Sequence, residues 1–261
     1  MRRSTTRTKL LAAIVALVLG GAGGAQTGST EIPRHLALAR ELVEHTRPED
    51  NQYSAGGEFI SFPGDWVSNK YAVLADCSGL VLALFARARY STESRMVFLK
   101  ASARRKRPTA EDFVLSIENE RGFRRIRDVS KIEPGDVLAH ALLDPEEQRR
   151  LSSTGHVVLI DGYPRHVEPR RPILDGTEQL ELTVIDSNLE WTGADDSRLA
   201  DPSRKIKGLG RGTIRIYADA DGQLVGWART FEKSKRFFSY DPRYPSDSKR
   251  RKAAIGRPVT D

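Results

Sequence analysis

The spacing of apolar residues changes its period part-way along this chain, and that change limits the folds open to it. Ile32, Leu36, Ala39, Leu42 and Val43 recur at helical spacing over residues 31 to 46. Leu80, Val81, Leu84 and Phe85 give a broader stripe in a helix expected from Cys77 to about residue 89. Thr109 and Asp112 make a capping-box pattern ahead of a short helix over 110 to 118. After that the signals are those of strands. Pro134-Gly135-Asp136 turns into a strand over 137 to 139, further strands are expected over 157 to 160 and 180 to 185, and Thr213-Ile214-Arg215-Ile216-Tyr217 alternates before Asp221-Gly222 turns it back into 223 to 228. Helices first and antiparallel-looking strands later predict an α+β fold rather than a doubly wound sheet.

The connecting segments are read from Gly, Pro, Asn and Asp. Residues 48 to 65 are expected to be one long loop, 163 to 172 a Pro- and Arg-rich loop, and 233 to 261 a basic, irregular tail. At the start, Arg2, Arg3, Arg7 and Lys9 precede an uncharged apolar run over 10 to 19 and small residues ending near Gly23-Gly24-Ala25, the layout of a secretory signal peptide over residues 1 to 25. The run is short for a membrane span, an uncleaved anchor being the alternative. An exported protein in the cell envelope or beyond it is the expectation. Without those residues the formal net charge drops by four, from +7 to +3. A mildly basic protein of this kind gives no reason to expect nucleic acid as a partner.

The chain has one cysteine, Cys77, so no internal disulfide can form and the thiol is left for packing, for pairing with another chain or for chemistry. Its place at the start of a helix is one that suits chemistry, because unpaired N–H groups there stabilise a thiolate. Asp76 is placed to cap that helix, although its charge would oppose thiolate formation. Gly79 is expected to leave the first turn open to a substrate. Later, His156 opens an apolar strand and Asp186 ends the next one, so that thiol, imidazole and carboxylate follow in the order of nucleophile, base and orienter. Asn188 is the alternative third residue. Core packing for Cys77, a structural hydrogen bond for His156 and a turn for Asp186 are the plainer readings.

Asp76-Cys77-Ser78-Gly79-Leu80-Val81 resembles the nucleophile motif of the NlpC-type papain-like cysteine peptidases. Pro134-Gly135-Asp136-Val137 and Gly155-His156-Val157 resemble the strands leading to and carrying their histidine, and Tyr53-Ser54-Ala55-Gly56-Gly57 is similar to the segment before their nucleophile. The resemblance runs from about residue 36 to 188. It implies a papain-like hydrolase domain over 31 to 232, with a C-terminal strand extension and a nucleophile helix packed on an antiparallel sheet. It also implies cleavage of amide bonds in peptidoglycan stem peptides, with Tyr53 and Ser78 near the oxyanion or substrate. The related CHAP amidases share the order of Cys and His. A wall-binding protein without activity and an acyltransferase are the alternatives on the same scaffold. This chain departs from the pattern in residues 141 to 154, which look inserted, and in having Asp at the third position.

Other signals carry less. Gly208-Leu209-Gly210-Arg211-Gly212 is similar to a phosphate-binding loop but leads into a strand, and Asp219-Ala220-Asp221-Gly222 lacks the remaining ligands of a calcium loop. His140, at a strand end, and His166, in a loop, are rivals to His156. No zinc-ligand spacing is present, and no metal or cofactor is expected. The basic clusters at 104 to 107 and 249 to 252 read as solvated loops that could meet anionic wall polymers or a membrane surface. Trp66, Trp191 and Trp227 read as core or cleft lining.

Overall fold

The computed structural model describes residues 31–90, 107–201, 206–230, 237–244 and 251–259. Residues 1 to 25, with their leader pattern, and Arg104, Arg105 and Lys106 lie outside them. The elements below all belong to the compact unit that starts at Ile32.

Four α-helices are present among the described residues. Helix α1 (Arg34–His45) buries Leu36, Ala39 and Leu42, as its spacing requires. It also buries His35, whose Nε2 donates to the Gly135 carbonyl at 2.7 Å and so pins α1 to a turn of the sheet. Burial lowers the pKa of His35 to about 4, the carbonyl bond offsetting only part of the effect. Helix α2 (Cys77–Ala88) is capped by Asp76 and stops where Arg89 enters the left-handed region at φ 62°. Helix α3 (Ala110–Glu118) carries the expected capping box, with Asp112 accepting from the Thr109 N–H at 2.8 Å. Helix α4 (Pro145–Leu151) lies within the inserted-looking segment and is capped by Asp144.

Two sheets complete the α+β architecture. The small one orders β1 (Asn51–Tyr53), β3 (Ala72–Ala75) and β2 (Glu58–Ser61) as β1-β3-β2, with β1 parallel and β2 antiparallel to β3. Thus β1 and β2 fall inside the stretch expected to be a loop. They are too short for a period of their own, and β3 supplies their backbone partners.

The large sheet comprises β4 (Phe123–Ile126), β5 (Val137–Leu142), β6 (Gly155–Ile160), β7 (Arg165–His166), β8 (Thr177–Asn188), β9 (Gly208–Asp219), β10 (Leu224–Arg229), β11 (Phe237–Ser239) and β12 (Arg251–Pro258). Its order is β11-β10-β9-β8-β6-β5-β12-β4, with β7 attached to β8, and every pairing is antiparallel.

Three expectations are corrected here. The supposed irregular tail contributes β11 and β12, and β12 lies between β5 and β4. Its basic residues hid that role because they are paired with acids of other segments: Lys252 with Glu118 of α3 at 2.6 Å and Arg257 with Asp136, just before β5, at 2.7 Å, while Arg251 is buried. Strand β8 continues past residue 185, so Asp186 sits within a strand rather than at its end. Trp66 lines neither core nor cleft, being 96% exposed.

The sheet is buried on both faces. Val137, Ala139, Val157 and Leu159 pack with the helices, and Leu138, Val158, Ile160, Val184 and Ile214 form a second cluster. Double burial explains why the central strands read as continuous apolar runs. The sheet also curls: His140 of β5 stacks on Trp227 of β10 at 5.7 Å, although three strands separate β5 from β10. A chain ending at residue 250 would leave β4 unpaired and an inner edge open, so it should show no cooperative thermal unfolding by circular dichroism. A transition matching that of the longer chain would contradict an integral β12.

Candidate active site

Cys77 occupies the first position of α2 and is 9% exposed. Asp76 places it there. One oxygen of this carboxylate accepts from the Gly79 N–H at 2.9 Å and the Ser78 hydroxyl at 3.1 Å, and the other accepts from the Gly56 N–H at 2.9 Å. Arg107 forms an ion pair with that second oxygen and donates to Ser78 Oγ at 3.0 Å. The negative charge that would oppose a thiolate is therefore countered at its source. Arg107 was read as part of a solvated basic cluster, but its side chain is only 16% exposed.

Gly79 has a different use from the one expected. A Cβ at this position would fall 1.9 Å from the Gly57 carbonyl oxygen, so the glycine admits the chain's own β1–β2 turn, not a substrate. The same carbonyl accepts from the Asp76 N–H at 3.1 Å. Helix geometry leaves the N–H groups of Cys77 and Ser78 without intrahelical acceptors, while the Ser78 hydroxyl is committed to Asp76 and Arg107. Any part Ser78 plays toward an oxyanion is confined to its backbone.

His156 stands near the start of β6, and its Nε2 lies 2.7 Å from Asp186 Oδ2. Cys77 also acts on the ring, first by its charge, and with Nε2 held by Asp186 the nitrogen left for the sulfur is Nδ1. Asp186 and Asn188 are two residues apart on β8 and so share a face. Asn188 Nδ2 lies 3.3 Å from Asp186 Oδ2 and 3.5 Å from His156 Nε2, making Asp186 the direct partner and Asn188 a flank. Burial opposes charge on the imidazole, but the Cys77 charge and the Asp186 and Cys77 hydrogen bonds outweigh it and raise the His156 pKa to about 10. Burial likewise pushes the Asp186 carboxyl up, and the Arg198 guanidinium and His156 together bring it below its usual range. Arg198 was not foreseen.

A cleft of ≈ 510 Å³ opens beside the thiol. Tyr53 of β1 lines one side, and burial, then the charges of Cys77 and Asp76, push its hydroxyl up to about 12, so it remains a donor. Gln148 and Arg149 of α4 line the cleft as well, with Ser152 to Thr154. The inserted-looking residues are therefore a cleft wall. Of the rival histidines, His140 lies beside His156, with ring centroids 6.0 Å apart, and His166 is away from the site. His140 is buried, held neutral first by burial and then by the charges of His156 and Arg251, and His166 is exposed and pairs with Glu178 at 3.3 Å.

Among known proteins, no family model and no solved structure matches this chain. A protein of Acanthamoeba polyphaga mimivirus, described as uncharacterized, is 31% identical over 172 residues, which cover 64% of this chain and 73% of the viral one. The two belong to one family. That description attaches no activity to the family. Among the described residues no group of side chains could hold a metal ion, and no helix is long and apolar enough to cross a membrane.

The His156 pKa lies above the value of 6.5 for an unperturbed imidazole, so folding stabilises the imidazolium. That contribution is complete below pH 6.5, shrinks as pH rises and is gone above about pH 10. The stability difference between the wild type and His156→Gln should therefore narrow from neutral pH to pH 10 in thermal melts. A difference that widens would contradict the assignment. Arg107→Gln should cost about 1.5–3 kcal/mol through loss of a charge-assisted bond to Asp76, measured by urea unfolding, and an unchanged midpoint would contradict the cap as described.

Proposed function

We propose that this chain is an exported papain-like cysteine hydrolase that cleaves amide bonds, with peptidoglycan stem peptides as its substrate. One observation carries the reading: the chain's single thiol, at a helix N-terminus, meets an imidazole whose other nitrogen is bound to a buried carboxylate, all beside an open polar cleft. A nucleophile helix lying on antiparallel strands agrees with what the resemblance to NlpC-type peptidases implies. The leader pattern of residues 1 to 25 supports action outside the cytoplasm.

The chemistry follows from the charges. With His156 protonated, the thiolate attacks the carbonyl carbon, forming a C–S bond and placing negative charge on the carbonyl oxygen. The N–H groups of Cys77 and Ser78 and the Tyr53 hydroxyl are the nearby donors for that oxygen. His156 then passes its proton to the leaving amine as the C–N bond breaks. Water attacks the thioester, neutral His156 takes its proton, and the acid departs with the thiolate–imidazolium pair restored. Asp186 holds the ring through both steps.

Incubation of the protein and its Cys77→Ala variant with purified peptidoglycan of several chemotypes, followed by mass spectrometry, tests this. Fragments should appear only with Cys77 present, at a rate at least about a thousandfold above the variant. Equal release by both, or no release together with slow alkylation of Cys77, would overturn it.

A further inference from the structure

We infer that Arg198 is a positioning residue of the site, set behind Asp186 on a glycine-lined face of β9, and that it keeps the third member of the triad charged and aimed at His156. The inference rests on the thiol–imidazole reading given above. Arg198 is among the largest fully buried side chains, and all its donor nitrogens are used. Nη2 donates to Asp186 Oδ1 at 3.0 Å, to Asp196 Oδ2 at 2.6 Å and to Thr192 Oγ1 at 3.1 Å. Nε donates to Asp196 Oδ1 at 2.8 Å and Nη1 to the Gly208 carbonyl at 2.8 Å. Asp186 thus has Arg198 on one oxygen and His156 on the other.

The glycine run beginning at Gly208 now has a physical account. Alternate residues of β9 share a face, and Gly208, Gly210 and Gly212 are such residues. A Cβ at Gly210 would lie 2.3 Å from Arg198 Nε, and one at Gly212 would lie 3.2 Å from the Asp196 Cα. At Gly210 and Gly212 the missing side chains make room for the arginine and its second carboxylate to lie flat on the strand, while Gly208 admits β1, a Cβ there falling 2.3 Å from Asn51 Oδ1.

The charges explain the arrangement. Asp186 and Asp196 are both buried, and Arg198 neutralises one unit of their combined charge, leaving one for the imidazolium. Without Arg198, two neighbouring buried carboxylates would share a proton, and a protonated Asp186 no longer supports charge on His156. The other ionisable groups facing His156 and Asp186 are Cys77 from α2, His140 from β5, Arg229 from β10 and Tyr240. His140 is neutral, burial keeps Tyr240 protonated, and Arg229 is paired with Glu190, so Arg198 is the cation that touches Asp186.

Alkylation by iodoacetamide reports on this arrangement without a substrate, since the chain has one cysteine. The rate would be measured from pH 5 to 9 in the wild type, His156→Ala, Arg198→Met and Arg198→Lys, with a thermal melt of each. In Arg198→Met the acid limb should move up by about one unit, a tenfold loss of rate at pH 6, with the rate at pH 9 unchanged. Arg198→Lys keeps the charge without the planar fork and should lie between the two, and it carries the test alone if Arg198→Met does not fold. A lower melting temperature with a wild-type rate profile would mean a structural role only and overturn the inference. Coincident profiles for wild type and His156→Ala would remove the reading beneath it as well.

Discussion

The carboxylate of Asp76 is the interaction on which the cleft depends. It satisfies the first turn of α2, receives the glycine turn between β1 and β2, and binds Arg107 from the segment leading into α3. Three separate stretches are thereby fixed around one point, and Cys77 is the next residue. Capping usually contributes about 1 kcal/mol to a helix. Here the same bonds also position a thiol, a phenol and a guanidinium relative to one another, so the cap matters for geometry more than for stability.

From that point a line of partnered groups runs inward: the Cys77 thiol, the His156 ring, Asp186, Arg198, Asp196. From His156 inward each member touches a partner of opposite sign, which is the condition under which burying charge becomes tolerable. The curled sheet makes this line possible. His156, Asp186 and Asn188 stand on the face shared with Val158 and Val184, opposite the face on which the helices pack, and α2 presents Cys77 near the start of β6. The helix and the strands meet at their ends, and the chemistry sits where neither face is closed.

Features encoded within a few residues were legible from the sequence. The cap at Asp76, the capping box at Thr109 and the helix from Cys77 are local, and their signals survived intact. His156 and Asp186 were legible because adjacent antiparallel strands bring such residues together. Arg198 was not, because its link to the site, Asp186, lies twelve positions away, and an aspartate two residues before it does not distinguish it from a surface arginine. The clue was the alternation of Gly210 and Gly212, which leaves one face of the strand open for something large to lie on it. Strand β12 was hidden for a similar reason. Its basic residues find their acids more than a hundred positions earlier, so composition made them look solvated. The wall formed by α4 could be seen only as extra length.

The central claim is that Cys77 and His156 form one charged pair, and ring NMR of histidine-labelled protein measures it most directly, with His156 assigned by comparison with His156→Gln. The account predicts that the His156 ring stays protonated to about pH 10 in the wild type and titrates distinctly lower in Cys77→Ser. Titration near 6.5 in both proteins would contradict it.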